Sequence, residues 1–250
     1  VVEGLLPGSN CGACGQPGCR AFAEKLVGGD TSPAQCTVSS PTAVEAVASF
    51  LGVEAGEADR RVARLRCAGG KAQAPFAARY AGHTSCRAAA TVAGDAKGCS
   101  WGCLGLGDCD VSCTFHAIEM NENALPVVDI VKCTACGDCV DACPRDLFQL
   151  LPLAQPLLVQ CSAPLAGDEA MAVCTVACDA CGRCALDAPK GLITMVNNLP
   201  VIDYGADLSP ADREHLPEAT RRCPTGAIQH LTGGQFWALS APPPGRQNAV

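Results

Sequence analysis

Hydrophobic positions come in short runs along this chain, and they predict many small elements rather than a few long ones. Over residues 41–52, Val44, Val47, Ala48 and Leu51 recur on one helical face. Ser40 suits the cap and Pro41 the first helical position, so an amphipathic helix is predicted there. Residues 20–27 predict a shorter helix ended by Gly28-Gly29. Residues 60–67 alternate with a period of two, predicting a strand with Ala63, Leu65 and Cys67 on one side and arginines on a solvated face. Further short helices are predicted over 85–93 and 168–173, and a short buried strand over 157–161. The apolar stretches 115–118 and 147–151 read as small strands. Residues 209–222, rich in Ala, Glu and Arg, read as a helix. Gly-Gly followed by Ala-Pro-Pro-Pro-Gly predicts an extended tail over 233–250, with Trp237 packed on its own domain. No run of 18 apolar residues occurs, so these residues contain no predicted transmembrane helix.

Aromatics make up only 4% of the 250 residues, too few for an ordinary core, whereas cysteine contributes 20. The cysteines fall in tight metal-ligand spacings, which argues for a reducing compartment and metal sites over disulfides. Metal ligation is then expected to supply much of the folding free energy. A net charge of −7 argues against a nucleic-acid partner and suits docking to a basic redox partner. The start Val1-Val2-Glu3 has neither Met nor a signal-peptide pattern, which leaves room for a preceding segment.

The central motif is Cys133-x2-Cys136-x2-Cys139-x3-Cys143-Pro144, the ferredoxin run. Three thiolates hold one [4Fe–4S] cluster and the fourth serves a neighbouring one, so the motif implies a partner. Zinc is the alternative, although zinc sites usually pair two separate C-x2-4-C units. The partner motif is Cys99, Cys103, Cys109 and Cys113, more loosely spaced, with Thr114 in place of the usual Pro. Exchange of the fourth ligand predicts one cluster on Cys99, Cys103, Cys109 and Cys143, and another on Cys133, Cys136, Cys139 and Cys113. At the N-terminus, Cys11, Cys14, Cys19 and Cys36 form a further four-Cys set, for a cluster or for zinc.

An internal repeat exposes a lost cluster. Leu125-Pro-Val-Val-Asp129 recurs as Leu199-Pro-Val-Ile-Asp203. Where the first copy goes on to Cys133, Cys136 and Cys139, the second has Asp207, Pro210 and Arg213. Ala188 replaces the ligand that the missing cluster would have needed, while Cys223 is kept to complete Cys178, Cys181 and Cys184. One cluster is therefore expected in this region. Cys67, Cys86, Cys161 and Cys174 remain, and they form a candidate fifth site for a cluster, for zinc, or for nothing beyond buried thiols. His116, close to Cys113, is a candidate to tune a cluster by hydrogen bonding. No dinucleotide fingerprint, phosphate loop or nucleophile–base pair occurs, so no independent substrate site is evident.

Leu6-Pro-Gly-Ser-Asn-Cys11 with Cys14, Cys19 and Cys36, then Gly102-Cys-Leu-Gly-Leu-Gly107 and the ferredoxin motifs, resembles the B subunit of the Rnf complex in its long form. The likeness covers about residues 4–230 and includes cysteines at the places of the fifth set. It implies an electron-transfer subunit working with ferredoxin and a flavoprotein partner, attached to the membrane by one helix just before the Leu-Pro-Gly segment. The expected fold is α+β, with a small N-terminal four-Cys domain followed by tandem ferredoxin-like modules. The boundaries are 1–40, a linker or helical region 41–98, a two-cluster module 99–156, a one-cluster module 157–232 and a tail 233–250. The expected cofactors are four [4Fe–4S] clusters, five with the last set, wiring a larger redox complex on the cytoplasmic side. An electron-wire subunit of a soluble redox enzyme, a zinc-binding scaffold and a corrinoid iron–sulfur protein are the alternatives.

Overall fold

The computed structural model describes residues 1–57, 60–78, 80–92 and 96–236; Trp237 and the rest of the tail lie outside the described residues. The N-terminal unit consists of a 3-10 turn Val2–Leu5, α1 (Cys19–Gly28), a second 3-10 turn Pro33–Gln35 and α2 (Pro41–Leu51). Ser40 Oγ accepts the Ala43 N–H at 3.2 Å, as the cap requires. Val47 and Leu51 of α2 pack on Val2, Phe22, Ala23 and Leu26. The Ala34 N–H donates to the Ala55 carbonyl at 2.9 Å. Residues 41–57, expected as the start of a linker, therefore belong to the N-terminal unit.

The remainder is built twice on one plan. In the first module β1 (Arg61–Leu65) pairs antiparallel with β4 (Phe148–Pro152), placing Leu65 opposite Phe148. Between them lie α3 (Cys86–Thr91), α4 (Asp108–Val111), the hairpin β2 (Ile118–Met120) and β3 (Pro126–Val128), and α5 (Asp138–Ala142). The second module repeats the scheme. β5 (Leu157–Val159) pairs with β8 (Ile228–His230), enclosing α6 (Gly167–Val173), α7 (Arg183–Asp187), the hairpin β6 (Ile193–Val196) and β7 (Leu199–Ile202), α8 (Pro210–His215) and α9 (Glu218–Arg221). The repeated Asp residues do the same work in both copies. Asp129 N–H donates to Ala117 O, and Asp203 N–H to Leu192 O, closing each hairpin. The rest of the expected linker thus holds the opening strand and α3 of the first module.

Two features differ from the sequence expectation. The helix over 209–222 is two short helices, because Pro217 interrupts the chain between α8 and α9. The arginine face of β1 is not wholly solvated: Arg64 is 3% exposed and donates through Nη1 to the Gly233 carbonyl at 2.8 Å. The cause is the C-terminal segment 233–236, which covers the second edge of β1. Gln235 Oε1 accepts the Leu65 N–H at 2.9 Å, and its Nε2 donates to the Leu65 carbonyl at 2.7 Å. A side-chain amide stands in for a strand partner there, which matters because two-stranded ribbons are marginal alone.

Replacing Gln235 by Ala orphans both buried backbone groups of Leu65. A loss of about 1–3 kcal/mol per group left unsatisfied is expected, with the Leu65 amide losing hydrogen-exchange protection. An unchanged exchange rate at Leu65 would show that the clamp contributes nothing.

Candidate metal centres

The cysteine loops reuse one backbone. In the opening C-x2-C of both ferredoxin runs the second intervening residue is left-handed, Ala135 at φ 59° and Ala180 at φ 61°. The helices α4, α5 and α7 each open after a left-handed glycine, Gly107, Gly137 and Gly182. The third cysteine of each motif, Cys109, Cys139 or Cys184, is then the second residue of its helix and is buried. Three residues after each fourth position the chain turns left-handed again, at His116, Asp146, Gly191 and Gly226. His116, expected as a candidate to tune a cluster, is an exposed residue holding this turn.

Three cavities, of about 360, 320 and 310 Å3 of space that is partly open to solvent, are each lined by four cysteines. The 320 Å3 cavity gathers Cys113, Cys133, Cys136 and Cys139, the set expected from ligand exchange. The 360 Å3 cavity gathers Cys86, Cys103, Cys109 and Cys143. The 310 Å3 cavity gathers Cys67, Cys99, Cys161 and Cys174. The structure therefore exchanges two cysteines relative to the sequence expectation. Cys86 stands where Cys99 was expected in the second set, and Cys99 stands in the leftover set.

The exchange has a local cause. Ser85 caps α3, and the carboxylate of Asp108 accepts the N–H of Cys86 at 2.9 Å, the N–H of Arg87 at 3.0 Å and the Ser85 hydroxyl at 3.0 Å. Burial raises the Asp108 carboxyl, but these hydrogen bonds outweigh it and hold the group below its usual range. Because Asp108 directly precedes Cys109, the start of α3 is pinned to the second set's own loop. Cys99 lies instead beside Cys67, with Gly102 against both sulfurs. A sequence signal for this arrangement exists in the repeat. Cys99-x3-Cys103 matches Cys174-x3-Cys178 at the offset that carries Cys109 onto Cys184 and Ile118 onto Ile193. Leu65-x-Cys67 likewise matches Val159-x-Cys161. The fifth set is two equivalent halves, one from each module, and Cys86 takes the place that Cys181 holds in the second module.

In the N-terminal set the Cys14 thiol is pushed up, first by burial and then by Cys36 and Cys11 beside it. Asn10 Oδ1 accepts the Cys19 N–H at 2.8 Å, tying Cys19 back to the Cys11 end of the loop. In the fourth set Cys184 lies within electrostatic reach of Cys223 and Cys181, and Cys178 of Cys184. Around Ala188, where the second module lacks its other ligands, Leu192, Leu208, Leu216 and Ala219 form an apolar core.

The five sets adjoin one another in a spatial order unlike their order in the chain. Thr37, next to Cys36, donates to the Thr134 carbonyl at 2.7 Å, bringing the first set to the third. Cys139 of the third set acts on Cys109 of the second. The Cys103 N–H of the second donates to Cys67 Sγ of the fifth at 3.3 Å. Cys99, Cys161 and Cys174 of the fifth share a buried cluster with Cys178 of the fourth. The line therefore runs first, third, second, fifth, fourth. Its ends are open, since all four cysteines of the first set are half-buried and Cys181 of the fourth is exposed.

The residues fit iron–sulfur clusters. Buried polar atoms without a partner line two of the cavities, Thr134 Oγ1 in the third set and Arg145 Nε in the second. At the fifth, a Cβ on Gly69 would come within 2.8 Å of Cys174 Sγ. Backbone N–H groups of Ala63 and Ala117 already point at Cys133 and Cys113 sulfurs, as donors to cluster thiolates do.

Burial first, and neighbouring thiols after it, pushes Cys103, Cys139 and Cys178 up to about 12 and Cys184 to about 11. A thiol raised on folding contributes stability that is complete below its unfolded value and is lost as pH rises through its folded value. The metal-free chain is therefore expected to lose stability as pH climbs from 9.0 to about 12. Denaturant titrations at stepped pH check this, and a flat profile over that window would contradict it.

Linked four-cysteine cavities of this kind define a multi-cluster iron–sulfur protein, a class built for electron transfer. Residues 6–38 match the FeS family model, an Fe-S cluster domain, and residues 126–148 match the 4Fe-4S binding domain. The chain is 41% identical over 230 residues to the B subunit of the Na(+)-translocating ferredoxin:NAD(+) oxidoreductase complex of Acetobacterium woodii, covering 92% of this chain and 68% of that relative. It is 38% identical over 235 residues to the B subunit of the proton-translocating ferredoxin:NAD(+) oxidoreductase complex of Clostridium ljungdahlii, covering 94% and 81%. With the B subunit of the ion-translocating oxidoreductase complex of Methanosarcina acetivorans it shares 36% identity over 202 residues, covering 81% and 76%. The chain belongs to this family, the Rnf complex B subunits, and is an iron–sulfur electron-transfer subunit.

Proposed function

We propose that the twenty cysteines hold five [4Fe–4S] clusters and that single electrons pass along them between ferredoxin and a flavin- or NAD-linked partner subunit of an ion-translocating complex. The ligand sets are those that share a cavity or lie in mutual reach: Cys11, Cys14, Cys19 and Cys36; Cys113, Cys133, Cys136 and Cys139; Cys86, Cys103, Cys109 and Cys143; Cys67, Cys99, Cys161 and Cys174; Cys178, Cys181, Cys184 and Cys223. One observation carries the reading, namely that the sets form a single line with the wholly buried fifth set inside it and half-buried or exposed cysteines at both ends. When bound, the clusters supply the one-electron carriers. The chain's own residues fix their spacing, bury the cysteines of the fifth set and aim N–H groups at the sulfurs. No described helix is long and apolar enough to cross a membrane. We place the chain on the cytoplasmic face of the membrane complex, held there by a partner subunit or by a helix preceding Val1.

Anaerobic analysis of the purified chain is expected to give about 20 iron and as much labile sulfide, four of each per cubane. Combining Cys86→Ala with Cys103→Ala is expected to remove no more cluster signal than either change alone. Cys99→Ala with Cys103→Ala is expected to remove twice as much. The opposite pattern would return Cys99 to the second set, and about 16 iron would remove the fifth cluster. In the intact complex, clusters that reduced ferredoxin fails to reduce would contradict the partner assignment.

A further inference from the structure

Two charged side chains are buried among the described residues, Arg64 and Lys97. Arg64 serves the tail clamp. Lys97 is 8% exposed, and no carboxylate among the described residues forms an ion pair with it. Its position is nevertheless tightly determined. Ala77 N–H donates to Ala96 O and Gly98 N–H to Pro75 O, so residues 75–77 and 96–98 form a short antiparallel bridge around it. Its Nζ lies over the Phe76 ring, 6.0 Å from the centroid.

The ammonium spans the gap between the second and fifth sets. Lys97 Nζ donates to the carbonyl of Cys103 at 2.5 Å, a residue of the second set. It donates also to the carbonyl of Gly69 at 2.5 Å, the glycine packed on Cys174 and Cys67 of the fifth. The same charge acts on the thiols of both Cys67 and Cys103. At the matching position of the second module the residue is Ala172, so the cation exists on one side of the repeat only.

Burying an ammonium whose partners among the described residues are neutral carbonyls is expensive, and such groups are tolerated where a counter-charge is provided. The counter-charge that this site offers is cluster charge. Four thiolates make a [4Fe–4S] centre negative, and each electron it accepts adds one more unit. A fixed cation at this junction therefore stabilises the reduced form over the oxidised form. We infer that Lys97 is a positioning residue for electrons, a buried charge that raises the reduction potentials of the second and fifth clusters together and makes this pair the place where an electron rests on its way along the line. The inference rests on the cluster assignment proposed above.

The test is a dithionite-poised redox titration of the iron-loaded full chain followed by electron spin resonance, with iron counted in every sample. Lys97→Gln keeps a donor for the two carbonyls without the charge, Lys97→Met keeps only the stem, and Lys97→Arg keeps the charge. At a fixed potential, both neutral variants are expected to show at least a tenfold lower reduced-to-oxidised ratio in two of the five components, equivalent to about 59 mV for one electron. The other three components should stay in place, and Lys97→Arg should stay close to the unmodified chain. No shift, an equal shift in all five, or an Arg variant as displaced as Met would overturn the inference. A count of about 16 iron in the unmodified chain would instead mark failure of the five-cluster assignment itself.

Discussion

The structure depends on one electrostatic constraint: buried thiols crowded together cannot ionise unless something positive joins them. Ordinary apolar packing contributes little here, with few aromatics and four separate two-stranded ribbons. The sulfurs of Cys109, Cys113 and Cys139 sit in the same buried cluster as Leu65, Leu125 and Leu147, so the metal sites and the core are one object. With iron present, thiolate ligation replaces the desolvation penalty by bonds, and the loops that carry the cysteines become the framework. Without it, those thiols stay protonated and the loops enclose empty space. Folding and cofactor loading are coupled for this reason.

The duplicated module explains the arrangement of the line. Each copy keeps an opening strand followed by a cysteine, a C-x3-C lead-in and a left-handed helix start. Placed side by side, the two copies contribute Cys67 with Cys99 and Cys161 with Cys174, so the fifth site arises from the repeat itself. The second copy has exchanged its other site for an apolar core of Leu208, Leu216 and Ala219 around Ala188. That exchange leaves the fourth site, with exposed Cys181, as an end of the line rather than a branch.

Much of this was legible in the sequence. The Cys133–Cys143 spacing led to the company that Cys113 keeps in one cavity, because ligand exchange follows from helix geometry within a short stretch. The Ser40 cap, the α2 face and the Leu125/Leu199 repeat are equally local. What was not legible depends on contacts between distant segments. The placing of Cys86 rather than Cys99 beside Cys103 follows from a carboxylate at Asp108 reaching back to α3, whereas spacing near Cys103 points to Cys99. Residues 60–67 read as a strand, but nothing in their own alternation names Phe148–Pro152 as the partner. Arg64 looked solvated because the segment that buries it, Gly233 to Gln235, lies at the far end of the chain.

The central claim is that all five sites form one continuous line. The spin-resonance spectrum of the fully reduced chain tests it most directly. Neighbouring paramagnetic clusters broaden and relax one another, so the account predicts that every component is magnetically coupled and that none saturates as an isolated centre. A sharp, slowly relaxing signal from any one cluster in the fully reduced protein would contradict it.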